Sequence, residues 1–321
     1  MTCPQLRAAL EAAVLAPSPH NTQPWRFEVT DGQVDVLLDE SRILAVADPD
    51  GREARMSCGA ALFNVRMSLR AQGLPVHVNL LPVPYRPHLL ARVKVSGHLA
   101  AKTDELVLHR AIPHRHTNRR PFRDDPVPGS VRKILRQGAL QEGARLVLLD
   151  KPGRYHSVAT LLRLAENAQR QDAEFQDELR RWVATDLTRL DGVPLLAGGP
   201  PPVTEPLVIL RQYGSNGTKP PREYEQEPLL GVLVTHRDEV HDHVRAGQAL
   251  QRVLLTATAA TVSTSFLSAA VESPRIRSAL RDLLGDEGYP QAVLRFGYGY
   301  QPPHTRRRPV EQVSNCLETP H

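Results

Sequence analysis

The chain opens with apolar residues at helical spacing: Leu6, Leu10, Ala13 and Val14 follow Pro4. This predicts a first helix over 5–15 that Pro17 ends. The period then shortens. Residues 25–30 and 34–38 read as strands separated by Asp31-Gly32, a hairpin signal. From Glu53 to Gln72 the helical pattern returns and closes at Gly73. Its small and apolar residues occupy more than one face, so this helix is expected to be buried. Strands near 75–81 and 91–95 complete the first third.

The last third repeats this plan. Gly59, Ala61, Leu62, Val65 and Ala71 stand opposite Gly247, Ala249, Leu250, Val253 and Ala259 at a constant offset of 188. Five such matches are common in packed helices, but both runs read as central helices, and a duplicated α+β unit follows as the hypothesis. Between the copies the pattern predicts a helical region over 154–190 and then a Gly/Pro-rich crossing from Gly192 to Pro206. Segments of that composition serve as lids or connectors, and 190–206 is the lid candidate. A strand is expected over 292–296, ahead of Gly297-Tyr298-Gly299.

Length and composition narrow the class. With 321 residues, 41% apolar and 23% charged, the chain has material for two domains or one large one. No apolar run reaches membrane-spanning length, so no membrane partner is expected. The opening Met1-Thr2-Cys3-Pro4 has no basic segment followed by an apolar one, and no secretory signal is expected. Cys3, Cys58 and Cys316 are too widely spaced for a disulfide framework or a CxxC metal site, which makes the cytoplasm the expected location. The net charge of +5 and pI near 9.3 raise the question of nucleic acid. Arginine is spread throughout, acids are nearly as abundant, and no zinc-finger, homeodomain or RNA-recognition pattern accompanies it, so no nucleic-acid partner is expected. A ligand carrying phosphate explains local arginine clusters more economically.

Two segments carry candidate chemistry. In Ala16-Pro17-Ser18-Pro19-His20-Asn21-Thr22-Gln23-Pro24-Trp25-Arg26-Phe27, prolines fix a loop in which Ser18, Asn21 and Gln23 supply donors and acceptors and Trp25 a large apolar face. The loop suits the edge of a flat polar heterocycle, or else it is a capped turn between helix and strand. In Ile112-Pro113-His114-Arg115-His116-Thr117-Asn118-Arg119-Arg120-Pro121-Phe122, Arg115 and Arg119 can bring two guanidinium groups to one anion while Thr117 donates a shorter hydrogen bond. A third basic cluster, Thr305-Arg306-Arg307-Arg308-Pro309, either closes the same pocket or meets solvent. Cys58, inside an expected buried helix, reads as an inert packing thiol. His109, His114 and His116 lack Cys or Glu support, and no metal is expected.

Pro17 to Trp25 resembles the flavin-contacting loop of the nitroreductase family, and Arg115 to Arg119 is similar to that family's Arg-rich FMN motif. Arg306 to Arg308 resemble its basic element for the FMN phosphate. The Acg-type actinobacterial branch is similar also in Asp48-Pro49-Asp50-Gly51-Arg52-Glu53, Ser57-Cys58-Gly59-Ala60, Asp191-Gly192-Val193-Pro194 and Arg307-Arg308-Pro309. The resemblance implies an α+β nitroreductase-like fold with mixed, mainly antiparallel sheets flanked by helices. In single-unit members the Arg motif precedes the loop, and the enzymes are homodimers with flavin at the interface. Here the order is reversed, which implies a fused pseudo-dimer. A first half, 1–108, supplies the loop, and a second half, 109–321, supplies the Arg motif, lid candidate and tail. One FMN per chain is then expected, with a monomer carrying its own dimer-like interface.

The resemblance puts Ser18, Asn21 and Gln23 near the ring system. Arg115, Thr117, Arg119 and Arg307 or Arg308 fall around ribityl and phosphate, Ser268 and Ala269 near the ring, and Pro19 and His116 are further cofactor-binding candidates. His20 and His116 are read as flavin-edge or structural groups, and no catalytic acid, base or nucleophile is assigned, because the flavin carries the chemistry. Three functions follow in order: an FMN-dependent oxidoreductase passing hydride from NAD(P)H to a flat nitroaromatic or quinone-like acceptor; an FMN-sequestering protein with a lid over the ring; and a basic nucleic-acid scaffold, disfavoured because both flavin motifs are intact.

Overall fold

The computed structural model describes residues 2–315 other than 31, 187, 205, 209, 214–219, 226, 286 and 301–303; Cys316 and Asp31 lie outside the described residues. The first half of the chain runs α1 (Cys3–Ala13), β1 (Trp25–Thr30), β2 (Gln33–Leu38), α2 (Arg52–Ala71), β3 (Val76–Leu80), β4 (Leu89–Val95) and α3 (Thr103–Ala111). The middle runs α4 (Gly129–Gln141), β5 (Arg145–Leu148), α5 (Pro152–Gln171), α6 (Ala173–Arg181), β6 (Val183–Ala184) and β7 (Val193–Pro194). The last part runs β8 (Leu229–Thr235), α7 (Val240–Ala259), β9 (Ser263–Phe266), α8 (Ala269–Glu272), α9 (Pro274–Leu284), β10 (Tyr289–Gly297), α10 (Val310–Val313) and β11 (Ser314–Asn315).

The architecture is α+β. One sheet has strand order β11-β1-β2-β4-β3 and the other β5-β8-β10-β9. Apart from β11, which adds parallel to β1, neighbours in both sheets are antiparallel. The two orders correspond when β5, β8, β9 and β10 are read as β1, β2, β3 and β4. In each set a long helix, α2 or α7, joins the second strand to the third.

Those two helices pack on each other, and the reason lies in single residues. A Cβ on Gly59 would be driven into the carbonyl oxygen of Val244, and a Cβ on Gly247 into that of Met56. The contacts are reciprocal: Met56 and Val244 differ by the same offset as the glycines. Arg55 donates to His243 Nδ1 at 3.2 Å, again 188 positions away. Nearby, Gln251 Nε2 donates to Asn64 Oδ1 at 2.8 Å between two side chains wholly removed from water. Only hydrogen side chains allow this approach, and filling the gap costs about 1–3 kcal/mol.

The expected strands and helices of the first third are present within about two residues, as helix ends usually fray. The helical expectation for 154–190 needs correction: the helices occupy 152–171 and 173–181 and stop there. The Trp182 carbonyl accepts from Val193 N at 2.8 Å, and β6 pairs in parallel with β7. A tertiary strand contact therefore replaces the next helical turn, and Gly192 at φ +78 makes the bend that brings it there. No helix of the described residues is long and apolar enough to cross a membrane.

Candidate functional site: a cavity between the two sheets' helices

Pro19, His20 and Asn21 form a 3-10 turn after the extended Ser18. His20, Asn21 and Gln23 have φ of 47, 58 and 54, in the left-handed region where each non-glycine residue costs about 1–2 kcal/mol. Hydrogen bonds hold the strain in place. Ser18 Oγ accepts from Gln23 N at 2.9 Å, and Asn21 Nδ2 donates to Gly192 O and Arg306 O, each at 3.1 Å. Gln23 Nε2 donates to Leu190 O at 2.9 Å, while its Oε1 accepts from Arg308 N at 2.8 Å. Backbone strain of this kind collects at sites that need a fixed shape.

The turn forms one wall of a cavity to which distant segments contribute. Ser18, Pro19, His20 and Asn21 face Glu53, Met56 and Ser57 of α2; Arg115, His116, Thr117 and Arg119 come from the segment after α3. Val193, Leu210, Arg211 and Tyr213 add a cover, and Ser268, Glu272, His304, Thr305 and Arg307 close the remainder. Nine of the sequence-predicted residues thus line one space: Ser18, Pro19, Asn21, Arg115, His116, Thr117, Arg119, Ser268 and Arg307. Gln23, Ala269 and Arg308 do not line it. Gln23 is a fully buried fastener, Ala269 is buried at the start of α8, and the Arg308 side chain donates to Gln312 O at 2.9 Å.

The Arg-rich segment is positioned from behind by an ion pair. Arg295, 1% exposed, pairs with Glu225 at 2.5 Å, and Arg295 Nη2 donates to the carbonyls of Asn118 and Arg120. Glu225 also accepts from Phe122 N at 2.7 Å. A Cβ on Gly199 would collide with Arg119 O, so the lid candidate packs directly on the motif. Arg119 lies over the Tyr213 ring at 4.6 Å, and His116 meets His304 edge-on at 4.1 Å.

Charge divides the cavity. At one end Arg115 is 6% exposed, and its Nε and Nη1 have no hydrogen-bond partner; neither has Arg307 Nε. Burial, with repulsion from Arg307 and Arg119, pulls the Arg115 guanidinium down to about 9, and burial alone brings Arg307 to about 10. Burial and the neighbouring cations also hold His116 neutral, at about 4. Among the described residues Arg115 and Arg307 form no ion pair. Arg307 gives its Nη1 and Nη2 to backbone carbonyls, whereas the buried Arg115 cation has a cost that an anion at this end would offset.

At the other end the charges are matched. Arg211 and Glu272 form two parallel contacts at 3.0 and 2.6 Å, with Gln169 Oε1 accepting from the same guanidinium at 2.6 Å. The pairing raises Arg211 above the ordinary arginine value and holds Glu272 below the usual carboxylate range despite burial. His20, packed edge-on against Tyr213 at 5.8 Å, is kept neutral: burial, then Arg211, brings it to about 3. Glu53 is pushed up to about 8 by burial, and its Oε2 has no partner. Glu53, Arg211, Tyr213 and Glu272 had not been singled out as binding residues. Glu53 lay inside the quoted Asp48–Glu53 run, whereas Arg211 and Glu272 meet across 61 positions with no local pattern to announce them.

The lid candidate is fastened where it crosses the loop. Besides the bonds from Asn21 and Gln23, Asp191 pairs with Arg42 and with Arg189. Arg42 Nε donates to Thr22 O at 2.6 Å, tying cover and loop together.

No protein-family model matches the chain. Individual relatives do. The Mycobacterium tuberculosis H37Rv protein named "Putative NAD(P)H nitroreductase Rv3131" is 32% identical over 316 residues, spanning 96% of this chain and 90% of that one. "Putative NAD(P)H nitroreductase acg" from the same organism is 29% identical over 328 residues, covering 100% and 98%. The chain belongs to the nitroreductase family. Among solved structures, one described as "a putative nitroreductase in complex with fmn" from Desulfovibrio desulfuricans aligns with 67% of this chain and 97% of its own at 17% identity and TM-score 0.38. Another, described as "a putative nitroreductase" from Anabaena variabilis, aligns with 84% of this chain and 69% of its own at 10% identity and TM-score 0.42. The assignment to the family rests on the sequence relatives.

Proposed function

We propose that the protein is an FMN-binding oxidoreductase that takes hydride from NAD(P)H and delivers it to a flat acceptor of the nitroaromatic or quinone class. The observation that carries the reading is the buried, unpartnered guanidinium of Arg115 beside Arg307. The FMN phosphate brings close to two negative charges and several strong acceptors at neutral pH, which is what these donors lack. Arg115, Arg119 and Arg307 would hold the phosphate, with Thr117 and His116 beside them. The Ser18–Asn21 turn and Ser268 would bound the ring. FMN, when bound, supplies the hydride chemistry, and the protein orients it and excludes water. His20, neutral and buried, gives that wall a polar edge without charge.

Two halves, 1–108 and 109–321, joined as a pseudo-dimer would explain why loop and Arg motif lie far apart in sequence and why one cavity draws on both. The matching strand orders and the reciprocal glycine contact support that division. A single FMN per monomeric chain and a cytoplasmic location belong to the same proposal.

One observation favours a second reading, in which FMN is held without turnover. Residues 190–192 are tied to the loop by Asn21 and Gln23 directly and through Arg42, which also donates to Thr22 O, as a cover would be if it stayed shut. The test has two steps. Purified protein should carry or take up one FMN per chain, and absence of flavin after titration overturns both readings. Anaerobic mixing with NADH or NADPH then separates them: bleaching on a catalytic timescale supports the oxidoreductase, whereas a flavin reduced by dithionite but inert to both nucleotides supports storage.

A further inference from the structure

Glu53 occupies the first turn of α2 and lines the cavity through a side chain that is 10% exposed. Oε1 accepts from Arg52 Nη2 at 3.1 Å, and Oε2, sealed from water, has no partner. Every other buried carboxylate of the cavity wall is satisfied: Glu272 takes two contacts from Arg211. The Glu53 backbone is fixed as well, because Asp48 Oδ1 and Oδ2 accept from the N–H groups of Glu53 and Ala54 at 2.9 and 2.8 Å. Ser57, one turn on, donates to Glu53 O at 2.8 Å and so does not reach the carboxyl.

The charges facing Glu53 are Arg52 from its own helix, Asp48 from the preceding loop, Glu272 from α8 and Arg211 from the cover. Arg52 divides its donors among Gln291 O at 2.7 Å, Gln291 Oε1 at 3.2 Å, Val271 O at 3.3 Å and Glu53, so it does not fully compensate a carboxylate there. Arg211 is committed to Glu272. Two acids therefore share one wall with opposite charge states, the ionised one paired and the other poised to keep its proton, an arrangement that sets a hydrogen-bond donor into a cavity.

We propose that Glu53 is a ligand-binding residue whose protonated Oε2 donates a hydrogen bond to an acceptor atom of the FMN ring system, so that flavin binding is coupled to retention of one proton. The inference rests on the FMN reading above and goes beyond it by naming a proton-linked contact. Ionised Glu53 would turn an acceptor toward an acceptor, and affinity would fall as the proton is lost.

The experiment is FMN binding to the flavin-free full chain between pH 6.5 and 9, with proton exchange measured by calorimetry in two buffers of different ionisation enthalpy. Wild-type affinity is expected to be flat up to pH 7.5 and to weaken toward tenfold per pH unit above about 8. At pH 8.5 binding should take up about three quarters of a proton. Glu53→Gln, which keeps a donor and cannot ionise, should bind without either effect; any fall it retains near pH 9 reports Arg115. If Glu53→Gln does not fold, the wild-type proton uptake and the carboxylic-acid carbonyl band in infrared difference spectra of FMN binding decide the matter. Identical pH profiles for wild type and Glu53→Gln, or no proton uptake and no shift of that band, overturn the inference while leaving FMN binding intact. No FMN binding at pH 6.5 overturns the FMN reading, and this inference with it.

Discussion

Arg115 and Arg211 stand in the wall of one cavity, both largely removed from water, yet their surroundings are opposite. Arg211 has Glu272 and Gln169 on its guanidinium, and its charge is stabilised. Arg115 has Arg307 and Arg119 as its charged neighbours, no partner on Nε or Nη1, and a charge that burial disfavours. A buried arginine with an acid bound across it holds the fold together. One left without an acid carries an uncompensated cost that, in the proposed reading, the FMN phosphate would offset.

The comparison breaks or stands on a pair of substitutions with opposite readouts. Replacing Arg115 and Arg119 together by Ala removes two charge-assisted contacts of about 1.5–3 kcal/mol each, so FMN affinity should fall by about 10²–10⁴-fold in a fluorescence titration. The stability of the flavin-free protein should fall by at most about 2 kcal/mol, from loss of the Arg119 contact with the Tyr213 ring, because burial disfavours the Arg115 charge. Unchanged flavin occupancy would show that Arg115 is not the anion site.

Arg211→Ala should do the reverse. It leaves Glu272 buried without its partner, a loss of about 3–5 kcal/mol of folding stability read from urea denaturation of the flavin-free protein. Glu272→Gln in the same background should recover part of it. A stability unchanged by Arg211→Ala would mean that the matched end of the cavity is not structural, and the contrast would fail.

How far this contrast could be read from the sequence depends on how its residues are linked. The loop 17–25 and the segment 115–119 are local runs, so Ser18, Asn21, Arg115 and Arg119 were visible as chemistry before any fold was known. The repeat at offset 188 was visible too, since Gly59 and Gly247 are fixed by a backbone contact that only glycine permits. The Arg211–Glu272 pair was not, because its members are assigned to each other by packing of α8 against the cover. Nor was the actual work of Gln23: its amide suggested a ligand edge, whereas the side chain bonds Leu190 O and the Arg308 amide. The helical expectation through 154–190 failed at Trp182 for the same reason, a strand contact with Val193 made across a bend.

Titration of the folded protein sharpens the matched end further. Glu53 at about 8 when folded, against an ordinary glutamate near 4.5, binds more protons folded than unfolded over that interval, so stability falls as pH rises through it. His20 works the other way, held near 3 against 6.5, and its contribution is lost as pH falls below 6.5. Between pH 6.5 and 8 Glu53 therefore lowers stability as pH rises. Denaturation of the flavin-free wild type in that window should show a downward slope of at most about 1.4 kcal/mol per pH unit relative to Glu53→Gln. Parallel curves would place the proton of Glu53 elsewhere.

The smallest effect probes the cover that lies across both ends. The side chains of Arg42 and Asp191 are 18% and 22% exposed, so their ion pair is partly screened and its removal should cost about 1 kcal/mol or less in stability. Arg42 also donates to Thr22 O at 2.6 Å, and losing both contacts frees the cover from the loop at one point while Asn21 and Gln23 still hold it at two others. Arg42→Ala should therefore leave equilibrium FMN affinity within a few-fold of wild type yet speed flavin release and entry together, since a cover that gates both directions changes their rates more than their ratio. Stopped-flow displacement of FMN measures this directly. If release accelerates and reduction by NADH or NADPH accelerates with it, the cover limits access to a working flavin; if release accelerates and the flavin stays inert to both nucleotides, the cover keeps a cofactor that is held and not turned over.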